Sequence, residues 1–125
     1  MAPSKECRGY AHRLAQYDEP NWQPLLDVAG ERITGTFMWM HEEALEDGSR
    51  VHAYKHIETR DYLYLSASGD AFELAPCGRL VPLRLDLAIE RAVCSWWLLE
   101  RWEEEDRVAI RDVVLRAQER AQPGW

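Results

Sequence analysis

Lysine is almost absent from this sequence: Lys5 and Lys55 stand against thirteen arginines. Cysteine is scarce too. Cys7, Cys77 and Cys94 are the whole complement, and no two form a CxxC pair. An odd, dispersed set of three excludes a disulfide framework and offers no zinc-ligand spacing. It points to a reducing, cytoplasmic setting. No apolar run approaches the roughly eighteen residues that a membrane-spanning helix needs. Met1–Glu6 leads into no apolar core, so no secretory signal is expected. Positive charge is also in deficit, with 15 basic against 22 acidic side chains and a net charge of −7. That balance opposes a general nucleic-acid binder, which must displace counterions with a basic field.

Motifs of common chemistry are missing as well. Gly30 and Gly35 are isolated, and no Gly-Lys-Ser or Gly-Lys-Thr follows either, so no phosphate loop is present. No dinucleotide, kinase or hydrolase signature occurs. Ser66 and Ser68 sit in a turn-like run where serine is ordinary. No cofactor is implied.

What remains is the balance of a globular protein, 46% apolar and 30% charged over 125 residues. The length predicts one domain spanning 1–125, able to bury a core without staples. Acidic charge is spread along it. Residues 1–31 carry 3 basic and 5 acidic groups, residues 32–80 carry 5 and 8, and residues 81–125 carry 7 and 9. No segment is therefore a charged tail.

Periodicity predicts an α+β fold. Tyr10, Leu14 and Tyr17 recur at helical spacing, so residues 4–17 read as a helix with Ser4 as N-cap. Residues 18–31 read as a connector with one helical turn at Pro24–Ala29. The next stretch, 32–75, is strand-like: Arg32–His41, Arg50–Ile57, Asp61–Ser66 and Ala71–Leu74 form a four-stranded antiparallel meander. Asp47-Gly48 and the Ser66–Asp70 run supply turns. Pro76, Gly78 and Pro82 then mark a loop. Residues 84–121 are helical. One stripe joins Leu85, Ile89, Ala92, Trp96, Leu99, Glu103, Asp106, Ile110, Val113 and Ala117. A single rod over this span would be about 55 Å long. That overhangs a domain about 36 Å across. The spacing therefore favours a helical hairpin with Asp106 as the second N-cap. One long helix, pairing with a second copy as a homodimer, is the alternative.

Alternation places Leu63 and Leu65 on one side of their strand and Tyr62 and Tyr64 on the other. In the preceding strand, His52, Tyr54 and His56 oppose Val51, Ala53 and Lys55. The expectation is a polar-aromatic face uniting His52, Tyr54, His56, Tyr62 and Tyr64.

Three function classes compete. Six tryptophans in so short a chain exceed what one core is expected to absorb. The helix read over Leu85–Trp102 is apolar nearly all round, and Trp125 ends the chain. These features predict a noncatalytic protein-binding module: an adaptor, regulator or inhibitor of another protein. Trp97, Trp102 and Trp125 would be the apolar anchors, and Glu103, Glu104 and Glu105 an acidic rim for a basic partner. Such a partner includes a nucleic-acid-handling machine. The runner-up is single-stranded nucleic acid stacked on Tyr54, Tyr62 and Tyr64 beside Lys55 and Arg60. Third is an enzyme centred on Lys55, His56 and Glu58. His52 and His56 would be about 13 Å apart on a strand, too far for one metal.

Overall fold

The computed structural model describes residues 20–93 and 102–121. The chain enters at a helix, α1 (Gln23–Thr34), broken by Gly30 at φ 78° and ψ 169°. Asn21 Oδ1 accepts the Gln23 N–H at 3.1 Å, and Pro24 sits in the first turn where a missing N–H costs nothing. Five strands follow: β1 (Phe37–Ala44), β2 (Arg50–His56), β3 (Tyr62–Ser66), β4 (Ala71–Leu74) and β5 (Leu80–Leu83). The C-terminal part holds α2 (Leu85–Val93) and α3 (Glu104–Ala121).

The class is α+β, as the periodicity indicates, with two corrections. The sheet has five antiparallel strands in the order β1-β2-β3-β4-β5, not four. The missed strand contains Pro82, which a central strand would not tolerate. β5 lies at the sheet edge, where an absent ladder donor is harmless. The connector is also a full helix, and Arg32–Thr34 close α1 and do not open a strand. Ile33 and Thr34 are β-branched, which made that stretch read as strand. The helix expected over 4–17 lies outside the described residues, as do Cys7 and Cys94.

The hairpin alternative holds for the C-terminal segment. Trp102 and Glu103 are not helical, and α2 and α3 pack against each other. The start of α3 differs from expectation. The Glu103 carbonyl accepts from the Asp106 and Arg107 N–H groups at 3.0 and 3.1 Å. Asp106 is therefore in the first turn, where its charge favours the helix dipole. It accepts the Arg32 Nε–H at 2.6 Å, fastening α3 to α1.

The main core lies between the helices and one sheet face. Leu25, Val28 and Ile33 of α1 meet Tyr54, Leu63 and Leu65 of the sheet. Leu85, Ile89 and Ala92 join from α2, and Ile110, Val113 and Ala117 from α3. Those six are the described apolar positions of the C-terminal stripe. Trp22, Trp39 and Trp102 also pack against this core. Their large rings serve the fold's own interior.

Register settles what alternation left open. Tyr54 pairs with Leu63 and His52 with Leu65, while Lys55 pairs with Tyr62 and Ala53 with Tyr64. Residues paired across a ladder share a face. His52, Tyr54 and His56 thus lie on the helix-covered face, and Tyr62 and Tyr64 on the outer one. The expected five-residue polar-aromatic face does not exist.

The sheet is strongly coiled. In a flat meander the β1–β2 and β4–β5 turns would sit at diagonal corners, roughly 20 Å apart. Here Glu46 and Arg79, one from each turn, form an ion pair at 3.2 Å. The corners close over the outer face onto a small cluster of Val51, Ala53 and Tyr64, flanked by Leu45, Phe72 and Leu80. β4 keeps four paired positions with β5 but only two with β3.

Candidate partner-binding site

The end of the outer face away from the closed corner stays open. Met38 pairs with Lys55, and Lys55 with Tyr62, so three strands set these side chains in one row. Met38 and Tyr62 are each 38% exposed, and Leu74 of β4 is 39% exposed. The Lys55 ammonium lies 5.6 Å from the centre of the Tyr62 ring. Tyr62 stacks on Tyr64 with centroids 5.6 Å apart and planes at 17°. Lys55 is thereby held against an aromatic face.

Beside this row the sheet splits. Pairing between β3 and β4 stops at Tyr64 opposite Phe72. Beyond it, neither Leu63 opposite Glu73 nor Tyr62 opposite Leu74 is paired. In an antiparallel ladder alternate residues turn their backbone groups to opposite neighbours. The Ser66 N–H donates to Asp70 O at 2.9 Å, so even-numbered β3 residues turn toward β4. Tyr62 and Leu74 therefore aim their N–H and C=O groups at one another across an open gap. The gap is a cleft of about 460 Å³. Tyr62, Tyr64, Phe72, Leu74 and Leu83 wall it, and Ala88 of α2 lies behind. Asp61, Glu73 and Arg91 supply its charge. Arg91 is bonded to Glu73 at 2.7 Å. Among the described residues the Asp61 carboxylate has no ion pair.

The anticipated site residues scatter around this geometry. Lys55, Tyr62 and Tyr64 come together. Tyr54 does not join them: it is 0% exposed, and its hydroxyl donates to the Asn21 carbonyl at 2.6 Å. Burial pushes its phenol well above the usual range. Arg60 lies in the β2–β3 turn at φ 68°. Lys55 and His56 are neighbours on β2 and so face opposite sides of the sheet. His56 is 1% exposed, and its Nδ1 accepts the N–H groups of Glu58 and Thr59 at 3.2 and 3.1 Å. Lys55, His56 and Glu58 do not converge on a common point. His52 and His56 both lie on a strand, as expected, and no group of three or more metal-ligating side chains clusters among the described residues.

Trp102 is half-buried, with its ring 6.2 Å from that of His56. Glu103, Glu104 and Glu105 are exposed. Arg32 offsets part of this rim, lying 2.6 Å from Asp106 and 3.9 Å from Glu105. Trp97 and Trp125 lie outside the described residues.

Sequence reasoning missed a buried polar seam on β1 and β2. The Trp39 indole N–H donates to Nδ1 of His52 at 3.2 Å. Glu42 lies 3.7 Å from His52 Nε2 and 3.4 Å from Arg50. Glu43 is 4% exposed and bonded to His41, while its second oxygen has no hydrogen-bond partner among the described residues. The acidic run at 42–47 is exposed only at its end, at Glu46 and Asp47. A β-bulge between Trp39 and His41 puts His41 and Glu43 on the outer face. No sequence signal marks that bulge. Compared with family models, curated proteins and solved structures, the chain shows no match.

Proposed function

We propose that this chain is a noncatalytic protein-binding module of the cytosol, acting as an adaptor, regulator or inhibitor. Its docking surface is the Met38–Lys55–Tyr62 row with the cleft beside it. The exposed alignment of these residues with Leu74 carries this reading. Apolar and aromatic side chains held in fixed positions next to a concavity have the composition of an interface centre. The exposed Glu103–Glu105 turn and the charge of −7 favour a partner with a basic surface.

Single-stranded nucleic acid on Tyr62, Tyr64 and Lys55 is the competing reading. Stacking on Tyr62 supports it. Asp61 and Glu73 stand against it, because both carboxylates flank the rings where phosphates would run.

A photo-crosslinking residue at position 62, with a second at exposed position 119, tests both readings in nuclease-treated cells. The proposal expects a discrete protein adduct from position 62 and none from position 119. Equal adducts from both positions, or an adduct lost on nuclease treatment, would overturn it.

A further inference from the structure

We infer that the β3–β4 cleft receives an extended apolar peptide segment carrying one lysine or arginine. This rests on the protein-binding reading and specifies what the partner must present.

The first observation is the unfinished ladder. Tyr62 and Leu74 point two N–H donors and two C=O acceptors into the gap. Backbone polar groups favour being paired, and an extended segment offers the complementary groups. A helix has none to spare along its length, since its N–H and C=O groups are satisfied internally.

The walls say what side chains the segment carries. Tyr62, Tyr64, Phe72 and Leu74 are apolar or aromatic, and the small Ala88 leaves depth behind them. The volume of about 460 Å³ is in the range of sites that bury most of a compact ligand's surface. An apolar side chain is the group that gains by entering.

Charge selects the remaining feature. Glu73 is neutralised by Arg91 at 2.7 Å, whereas Asp61 has no ion pair among the described residues. A lysine or arginine entering with the segment would meet both the Asp61 carboxylate and the faces of the tyrosines. The ammonium of Lys55, already 5.6 Å from the Tyr62 ring centre, occupies the same kind of position on the row side. A phosphate or carboxylate at Asp61 would be repelled. Acidic peptides and nucleic acid are thereby excluded from the same cleft.

The test is selection of a random ten-residue phage-displayed library on the full chain, followed by binding of synthetic versions of the enriched peptides. The inference expects enriched peptides to hold a lysine or arginine among apolar or aromatic residues. Methylating the backbone nitrogens of such a peptide should abolish its binding. Asp61→Asn should weaken the peptide about three- to fivefold, the scale of an exposed ion pair. Tyr62→Ala should weaken it about tenfold or more. Both positions are exposed, so an unchanged melting curve certifies the fold of each variant. No enrichment, enrichment of acidic peptides, or affinity indifferent to Asp61→Asn, Tyr62→Ala and methylation each overturns the inference. A specific protein adduct from position 62 without cationic-apolar peptides would reject this cleft assignment alone. Absence of both would reject the protein-binding reading with it.

Discussion

Trp39 donates its indole N–H to Nδ1 of His52 at 3.2 Å, and that bond fixes the charge state of a buried imidazole. An indole N–H only donates, so Nδ1 must hold a lone pair. The proton of neutral His52 therefore sits on Nε2, which faces both the Asn21 side-chain amide at 3.4 Å and the Glu42 carboxylate at 3.7 Å. His56 is fixed in the same way by the N–H groups of Glu58 and Thr59. Its Nε2 is buried and has no hydrogen-bond partner among the described residues. Protonating either Nδ1 would break the bonds that hold the ring.

Stability should therefore fall in mild acid. Burial lowers the proton affinity of both rings. Glu42 partly opposes this at His52, and Arg50 reinforces it. Glu58 and Asp61 partly oppose it at His56. The unfolded chain takes up protons below about pH 6.5, while the folded chain takes them up only at lower pH. The unfolded state then binds more protons, so stability drops as pH falls through this window and is unaffected above it. The slope approaches about 1.4 kcal/mol per pH unit for each histidine while the folded form stays neutral. Urea denaturation between pH 7.5 and 5 measures it. His56→Asn should retain an acceptor for the turn N–H groups and lose one proton's share of the slope. An unchanged slope would mean that His56 does not contribute.

Gly30 should resist the usual helix improvement. Replacing a mid-helix glycine by alanine normally gains roughly 1 kcal/mol. At φ 78° and ψ 169°, however, Gly30 occupies backbone space open essentially only to glycine. A Cβ there meets no atom of the described residues within 4 Å, so the expected effect is backbone strain. Gly30→Ala should destabilise by about 1–3 kcal/mol, read from its denaturation midpoint. A gain in stability would show that α1 is a continuous helix.

These features divide into what the residues announced and what only the fold could supply. Asp47-Gly48 and Ser68-Gly69 announced their turns, and Gly48 and Gly69 do adopt φ of 88° and 90°. The apolar stripe announced the buried sides of α2 and α3. Alternation within β2 and within β3 was also correct. What it left open was the relation between them, because pairing Tyr54 with Leu63 depends on the length of the turn that joins the strands. Pro82 concealed β5, since proline reads as loop unless the strand is known to be an edge. The cleft had no local signature at all. It lies where the pairing of β3 with β4 stops, beyond Tyr64 and Phe72. The tryptophan excess pointed outward, yet Trp22, Trp39 and Trp102 pack against the chain's own core.

Arg60 should tolerate glycine. It holds φ 68°, a left-handed conformation that costs a non-glycine residue about 1–2 kcal/mol. Its N–H closes the turn onto His56 O at 2.9 Å, a bond that glycine would retain. Relief of strain offsets the extra freedom that glycine gives the unfolded chain, about 0.5–1 kcal/mol. Arg60→Gly should leave stability unchanged or raise it by up to about 1 kcal/mol. A larger loss would mean that the guanidinium is part of the fold. The same variant bears on nucleic-acid binding: a stacking face that used Arg60 would lose affinity, and the proposed protein-binding surface would not.

Tyr54 and Tyr62 should separate cleanly under alanine substitution. Tyr54 is fully buried, with its ring 5.7 Å from Trp22 and its hydroxyl bonded to Asn21. Tyr54→Ala empties a ring-sized volume and should cost about 3–5 kcal/mol. Any loss of binding it causes would reflect unfolding. Tyr62→Ala removes a half-open ring stacked on Tyr64, at a cost of about 1 kcal/mol or less. Thermal denaturation of both variants, beside crosslinking or peptide binding, gives the comparison. The expected pattern is Tyr62→Ala folded and deficient in binding, with Tyr54→Ala strongly destabilised. If Tyr62→Ala binds as well as the parent, the outer row is not the docking surface. If Tyr54→Ala is as stable as the parent, the register that places it beneath the helices is wrong.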